Sequence, residues 1–188
     1  MSSFGWRESV WSVIGLGLVL VSATAVVRTN PGSTLSMDSS GRAIVGEPAP
    51  WFSGWDRDNQ VVTLEKLLAD PETRGVTLTF FATWCAPCKR GLKMLKDFQK
   101  RLEEAGIRVV VVDFGEAEAK ATAYVDALGL PFTLVTDRHG RMRGVYLEVE
   151  RPELPRTVVV GRDGRIAAVF GEEGADYIDR IVASLDRK

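Results

Sequence analysis

Both cysteines of the chain fall within Trp84-Cys85-Ala86-Pro87-Cys88, and this pentapeptide sits where one hydrophobic period gives way to another. Upstream, Gly75 to Phe81 is β-branched and aromatic and predicts a buried strand. Downstream, Leu92, Leu95, Phe98 and Leu102 recur at spacings of three and four and predict an amphipathic helix that ends at Gly106. A strand that turns into a helix through Cys-x-x-Cys puts Cys85 at the helix N-terminus and Cys88 one turn inside it.

That placement has chemical consequences. The free N–H groups and positive dipole end of the helix favour a thiolate at Cys85, the nucleophile of thiol-disulfide exchange. Cys88, nearer the core, is placed to resolve the mixed disulfide. Pro87 suits the first turn, where its missing N–H has no intrahelical partner. Lys89, Arg90 and Lys93 follow, adding positive charge where the dipole alone prefers anions. They read as a solvated helix face, with a docking patch as the alternative. A purely structural staple is a poor reading, because closing so short a loop contributes little. A structural zinc site is equally poor, since there is no second cysteine pair and the single histidine, His139, lies in a polar turn.

Composition narrows the class further. With 24 Lys and Arg against 25 Asp and Glu, the net charge of −1 carries no basic excess, which argues against a nucleic-acid partner. The 188 residues fit about one domain. Ser9 to Val27 is a run of 19 residues without a charge, enough for a helix of roughly 28 Å. It reads as one transmembrane helix, with a cleaved signal after Ala23-Thr24-Ala25 as the alternative. Arg7, Glu8 and Arg28 give the positive-inside rule little to act on. The chain therefore divides into a membrane anchor or signal over 1–28, a Ser-, Thr- and Gly-rich linker over 29–42, and a folded domain over 43–188.

Within the domain, Trp51–Trp55 and Gln60–Leu64 flank a turn-rich tetrapeptide and predict a hairpin, followed by a short helix over Glu65–Ala69. Ile107–Val112 is a continuous apolar run, the mark of a buried central strand. A helix is predicted over Glu116–Leu128, a strand over Phe132–Val135, a closing pair of strands over Thr157–Val160 and Ile166–Phe170, and a last helix over Asp176–Asp186. The class is α/β.

The run Phe81-Ala82-Thr83-Trp84-Cys85-Ala86-Pro87-Cys88, the segment Val112-Asp113-Phe114-Gly115-Glu116, and Leu154-Pro155 before a Thr-Val-Val-Val strand together resemble the membrane-anchored thioredoxin-like thiol-disulfide oxidoreductases of the TlpA/ResA group. The resemblance implies a thioredoxin-like fold: a central mixed sheet flanked by helices, with an N-terminal hairpin and a central insertion. It implies a redox-active Cys85–Cys88 disulfide and no other cofactor or metal. It further implies a catalytic domain on the extracytoplasmic, periplasmic side of the cytoplasmic membrane, recharged by a membrane thiol electron donor. The substrates implied are disulfides of exported proteins, as in cytochrome c biogenesis. It also implies that the Leu154–Pro155 bond is cis and that Leu154 can pair with a substrate strand.

Departures from the family pattern are as informative. Thr79 stands where thioredoxins carry a buried Asp, and Gly91 where many TlpA/ResA members carry Glu, so both tuning carboxylates are absent. Glu116 is the first candidate for a replacement, and Asp113 the next. Arg156 follows the proline where Thr is usual, and the Tyr146–Pro155 segment is longer than its family counterpart. Active-site support is therefore expected from Trp84, Ala86, Pro87, Leu154, Pro155, Arg156 and Glu116. The alternatives are a disulfide-donating oxidase or isomerase, a thiol peroxidase and a Sco-like copper carrier. The peroxidase signature asks for Pro and Thr where Leu78 and Ala82 stand, and the copper carrier for CxxxC.

Overall fold

The structure, a computed structural model, describes residues 43–147, 154–171 and 174–186. The expected anchor and linker, and residues 148–153 of the expected long loop, lie outside the described residues. Among the described residues, no helix is long and apolar enough to cross a membrane.

The predicted hairpin forms as β1 (Ser53–Trp55) and β2 (Val61–Thr63), antiparallel with Gly54 opposite Val62. Its turn is closed by the Asp56 carboxylate, which accepts from the N–H groups of Asp58 and Gln60. Gly54 is what lets the hairpin lie on the sheet, since a Cβ there would stand 2.5 Å from the Val135 side chain. Thr63 then caps α1 (Leu64–Ala69), its hydroxyl accepting from the Lys66 N–H at 3.1 Å.

The main sheet comprises β3 (Gly75–Phe81), β4 (Ile107–Asp113), β5 (Thr133–Thr136), β6 (Arg156–Gly161) and β7 (Ile166–Phe170), in the order β5-β4-β3-β6-β7. β3, β4 and β5 run parallel, whereas β6 and β7 join antiparallel, so the sheet is mixed. Helices are α2 (Ala86–Asp97), α3 (Gln99–Glu104), α4 (Glu118–Ala127), α5 (Arg141–Tyr146) and α6 (Tyr177–Ser184). The stretch between β4 and β6, where the resemblance implies a central insertion, holds α4, β5 and α5.

Both faces of the sheet are covered, which is why β4 reads as an unbroken apolar run. Val109 and Val111 pack into one core with α2, α4 and α6, while Val110 and Val112 pack into a second core with Phe52, Leu64 and Tyr146. The second core holds the hairpin segment in place, and the Tyr146 hydroxyl donates to the Pro50 carbonyl.

Three elements depart from the sequence reading. The helix expected to run to Gly106 breaks at Phe98, where the backbone takes φ −107° and ψ 17° and the amide is shared by the carbonyls of Lys96 and Met94. Phe98, expected on the apolar stripe, is therefore 44% exposed, while Leu102 returns to the core on α3. At the end of α3, Gly106 adopts φ +71°, and a Cβ there would meet the Glu72 carbonyl oxygen at 2.6 Å. Second, α4 begins at Glu118 rather than Glu116, because Ala117 is extended with ψ 131°. Third, α5 was not expected. Its cap comes from a distance, with the Asp137 carboxylate accepting from the N–H groups of Met142 and Arg143, while Gly140 holds the cap position itself.

Candidate active site

Cys85 and Cys88 form a disulfide at the carboxyl end of β3, with Cα atoms 5.3 Å apart. Cys85 is the N-cap of α2, and its sulfur accepts from the Cys88 N–H at 3.2 Å. A sulfur in that position faces the unpaired amides and positive end of the helix, the arrangement that stabilises a thiolate once the bond opens. Ala86 opens the helix and Pro87 sits within its first turn, where it interrupts no hydrogen bond. Cys85 retains 4% exposure against 1% for Cys88, so the first cysteine is the one nearer solvent. Trp84 is 67% exposed beside the pair.

The Leu154–Pro155 peptide is cis. β6 opposes β3 with Arg156 level with Phe80. Leu154 and Pro155 directly precede β6, so they stand at the end of the sheet where β3 runs out at Phe81 into the cysteine loop. Arg156 shares the side of the sheet that carries Phe80, the face away from α2, by the two-residue alternation of the strand. Its guanidinium lies next to Gly171, past the end of β7. Leu154 and Pro155 are thus brought to the strand end that leads into the disulfide, and Arg156 to the opposite face.

Thr79 takes part in a chain of buried hydroxyls. Its Oγ1 lies 3.2 Å from that of Thr157, which lies 2.6 Å from the Tyr177 hydroxyl. This chain satisfies the polar groups at the position where a thioredoxin carries a carboxylate, and leaves no acid there. Gly91 is buried on the core side of α2.

Glu116, freed from α4 by the late helix start, reaches back to the cysteine loop. One carboxylate oxygen accepts from the Thr83 N–H at 2.5 Å. The other accepts from the Thr83 hydroxyl at 2.7 Å and from the Lys120 ammonium at 2.5 Å. Burial pushes the Glu116 carboxyl up, but the bonds from Lys120 and Thr83 outweigh it and hold it below the usual range. Glu116 is therefore an ionised clamp on the residue two before Cys85, a positioning residue rather than a proton acceptor. Thr83 and Lys120 were missed by the sequence reading, although the spacing of four between Glu116 and Lys120 is a legible helix-pair signal.

Asp113 is buried at the end of β4. One oxygen accepts from the Gly115 and Glu116 N–H groups at 2.9 and 2.7 Å, and the other has no hydrogen-bond partner among the described residues. Burial pushes its carboxyl up, the two backbone bonds offset part of this, and the nearby carboxylates of Glu116 and Asp137 add to the rise. Of the two acids, Asp113 is the one inclined to hold a proton. Among the described residues no group of three His, Cys, Asp or Glu side chains could hold a metal ion.

The clamp makes a testable claim about stability. Glu116→Ala leaves the Thr83 N–H, the Thr83 hydroxyl and Lys120 without their acceptor, and is expected to cost about 1–3 kcal/mol. Because the folded-state carboxyl is held low, the wild-type advantage is complete above the ordinary glutamate range and disappears as the pH falls through the depressed value. Urea unfolding of both proteins over an acid pH series measures this, and a gap that stays constant with pH would mean that Glu116 contributes through packing alone.

Comparison with known proteins agrees with this geometry. The chain is 31% identical over 102 residues to the thiol-disulfide oxidoreductase ResA of Oceanobacillus iheyensis, covering 54% of this chain and 53% of the relative. The ResA of Halalkalibacterium halodurans is 29% identical over 132 residues, 70% of each chain. The chain spans about half the length of most of the curated relatives it matches, 53% in the Oceanobacillus case. Among solved structures, a thiol:disulfide interchange protein of the thioredoxin family from Chlorobium tepidum superposes with a TM-score of 0.62 at 25% identity, covering 73% of this chain and 95% of the other. The fold is thioredoxin-like, and since residues 45–169, spanning both the cysteine pair and the cis-proline strand, match the AhpC/TSA family, the chain belongs to that family.

Proposed function

We propose that this chain is an extracytoplasmic protein-disulfide reductase, held at the cytoplasmic membrane by residues 9–27, that acts on disulfides of exported proteins and is recharged by a membrane thiol donor. The observation that carries the reading is the Cys85–Cys88 disulfide at the N-cap of α2. In the reduced chain, the Cys85 thiolate attacks one sulfur of the substrate disulfide. A Cys85–substrate bond forms, and the first substrate sulfur leaves as a thiolate. The Cys88 thiolate then attacks the Cys85 sulfur, closing the pair seen in the structure and releasing the second substrate sulfur. Two electrons pass to the substrate, and the two protons lost by the pair appear on its two thiols.

The name ResA of the relatives supports the oxidoreductase class. A role in cytochrome c maturation belongs to the same proposal and rests on the resemblance to the TlpA/ResA group. A peroxidase reading finds no support at the site, where Leu78 and Ala82 are fully buried apolar residues at the positions that chemistry needs for Pro and Thr. The direction of electron flow is tested by the reduction potential of the pair, equilibrated against defined thiol buffers. The reductase reading predicts a value near the roughly −270 mV of thioredoxin. A value near the roughly −120 mV of a strong oxidant would instead make the chain a disulfide donor.

A further inference from the structure

Three exposed cations, Lys89, Arg90 and Lys93, follow the disulfide along α2. Arg57, Arg74, Arg101, Arg108, Arg138 and Arg180 each sit against a carboxylate. Lys89, Arg90 and Lys93 are exposed and form no ion pair with any described residue, and the first turn of α2 contains no acid. They lie in the first half of the helix, whose dipole disfavours positive charge. Local electrostatics thus leave a block of unneutralised charge beside the disulfide, in a chain whose net charge is only −1.

The block has a direction. Lys89 and Lys93 follow Cys85 at spacings of four, about 6 and 12 Å further along the axis. Cys88, Leu92 and Leu95 make up the buried side of the helix, and the cations line its exposed flank. Trp84, 67% exposed, flanks the disulfide at the other end and offers an aromatic surface to an incoming chain. An extended segment with its cysteine at Cys85 covers 12 Å in about four residues. We propose that Trp84, Lys89, Arg90 and Lys93 form a docking surface for an acidic polypeptide segment, with Asp or Glu within about four positions of the cysteine that exchanges with Cys85. The occupant is a polypeptide because the reactive centre between these residues exchanges disulfides. This rests on the reductase reading above, and it adds a charge selectivity that the cysteine pair alone does not provide.

The test compares two disulfide peptides of the same length, one with Asp and one with Lys within four residues of a cysteine, reduced by the full chain after its own pair has been reduced. At low ionic strength the acidic peptide is expected to react with the larger second-order rate constant, by about tenfold or more, as for electrostatically steered association. Half-molar salt should bring the ratio toward one, since these are exposed charges. The ratio cancels any effect on the Cys85 thiolate, which both peptides share. Lys89→Glu/Arg90→Glu/Lys93→Glu should invert it, while Lys100→Glu, on the exposed surface of α3, should leave it unchanged. Should the triple variant fail to fold, the salt dependence of the unmodified chain decides the matter alone. Neutral bis(2-hydroxyethyl) disulfide separates the two readings. If it is reduced but the peptides show no charge preference, the docking proposal falls and the reductase reading stands. If no disulfide is reduced, both fall. Binding to vesicles containing phosphatidylglycerol, without peptide selectivity, would assign the cations to a lipid surface and overturn the proposal.

Discussion

Replacing Cys85 with serine is expected to bring the reduction of a protein disulfide down to the uncatalysed level of the added reductant, whereas Cys88→Ser should accumulate a covalent complex between Cys85 and the substrate. The two outcomes differ because the cysteines occupy different places. Cys85 is the N-cap, so the helix end stabilises its thiolate and not that of Cys88. A serine hydroxyl in that place stays protonated and does not attack sulfur. In Cys88→Ser the first attack proceeds, but nothing remains to attack the Cys85 sulfur from inside the site. Insulin turbidity measures the first variant and a non-reducing gel the second. Turnover retained by Cys85→Ser would remove the mechanism. Stability should change far less than activity, since a disulfide spanning three positions in sequence closes a small loop worth about 2 kcal/mol by the loop-closure relation.

The cysteine pair was legible because its meaning is local. A strand, a helix and a spacing of three are all short-range signals, and β3, β4 and β7 lie where period and β-branching place them. What the sequence did not disclose is non-local. Phe98 fits an apolar stripe by spacing, yet the break between α2 and α3 turns it outward while Leu102 returns to the core. α5 is capped by Asp137, four residues ahead of the helix start, so no Ser, Thr or Asp marks its first turn. Glu116 could be chosen as a candidate acid from the sequence, but its partner Thr83 lies 33 positions away. Only the parallel pairing of β3 with β4 brings the two together. Arg156 shows the same limit in reverse, because its position after the proline suggested the disulfide and the strand alternation assigns it to the other face.

The same packing that conceals these relations holds the redox helix in place, and Leu92→Ala should expose it. Leu92 has no solvent exposure and packs in the core that also contains Cys88, Leu95 and Val111. Truncating a leucine in such a site loses its transfer free energy and leaves a cavity, together about 2–5 kcal/mol. For a domain of this size that lowers the thermal midpoint by roughly 4–20 °C. Lys93→Ala, one residue on and exposed, should move stability by no more than about 0.5 kcal/mol. Denaturant midpoints at matched slopes compare the pair. Equal effects from the two variants would mean that α2 is held by its ends rather than by its buried stripe. The geometry of the N-cap would then no longer depend on the core. A large and selective loss at Leu92 ties the position of Cys85 to the sheet, because the helix can present a thiolate at its N-terminus only while its buried side stays fixed in the core it shares with the sheet.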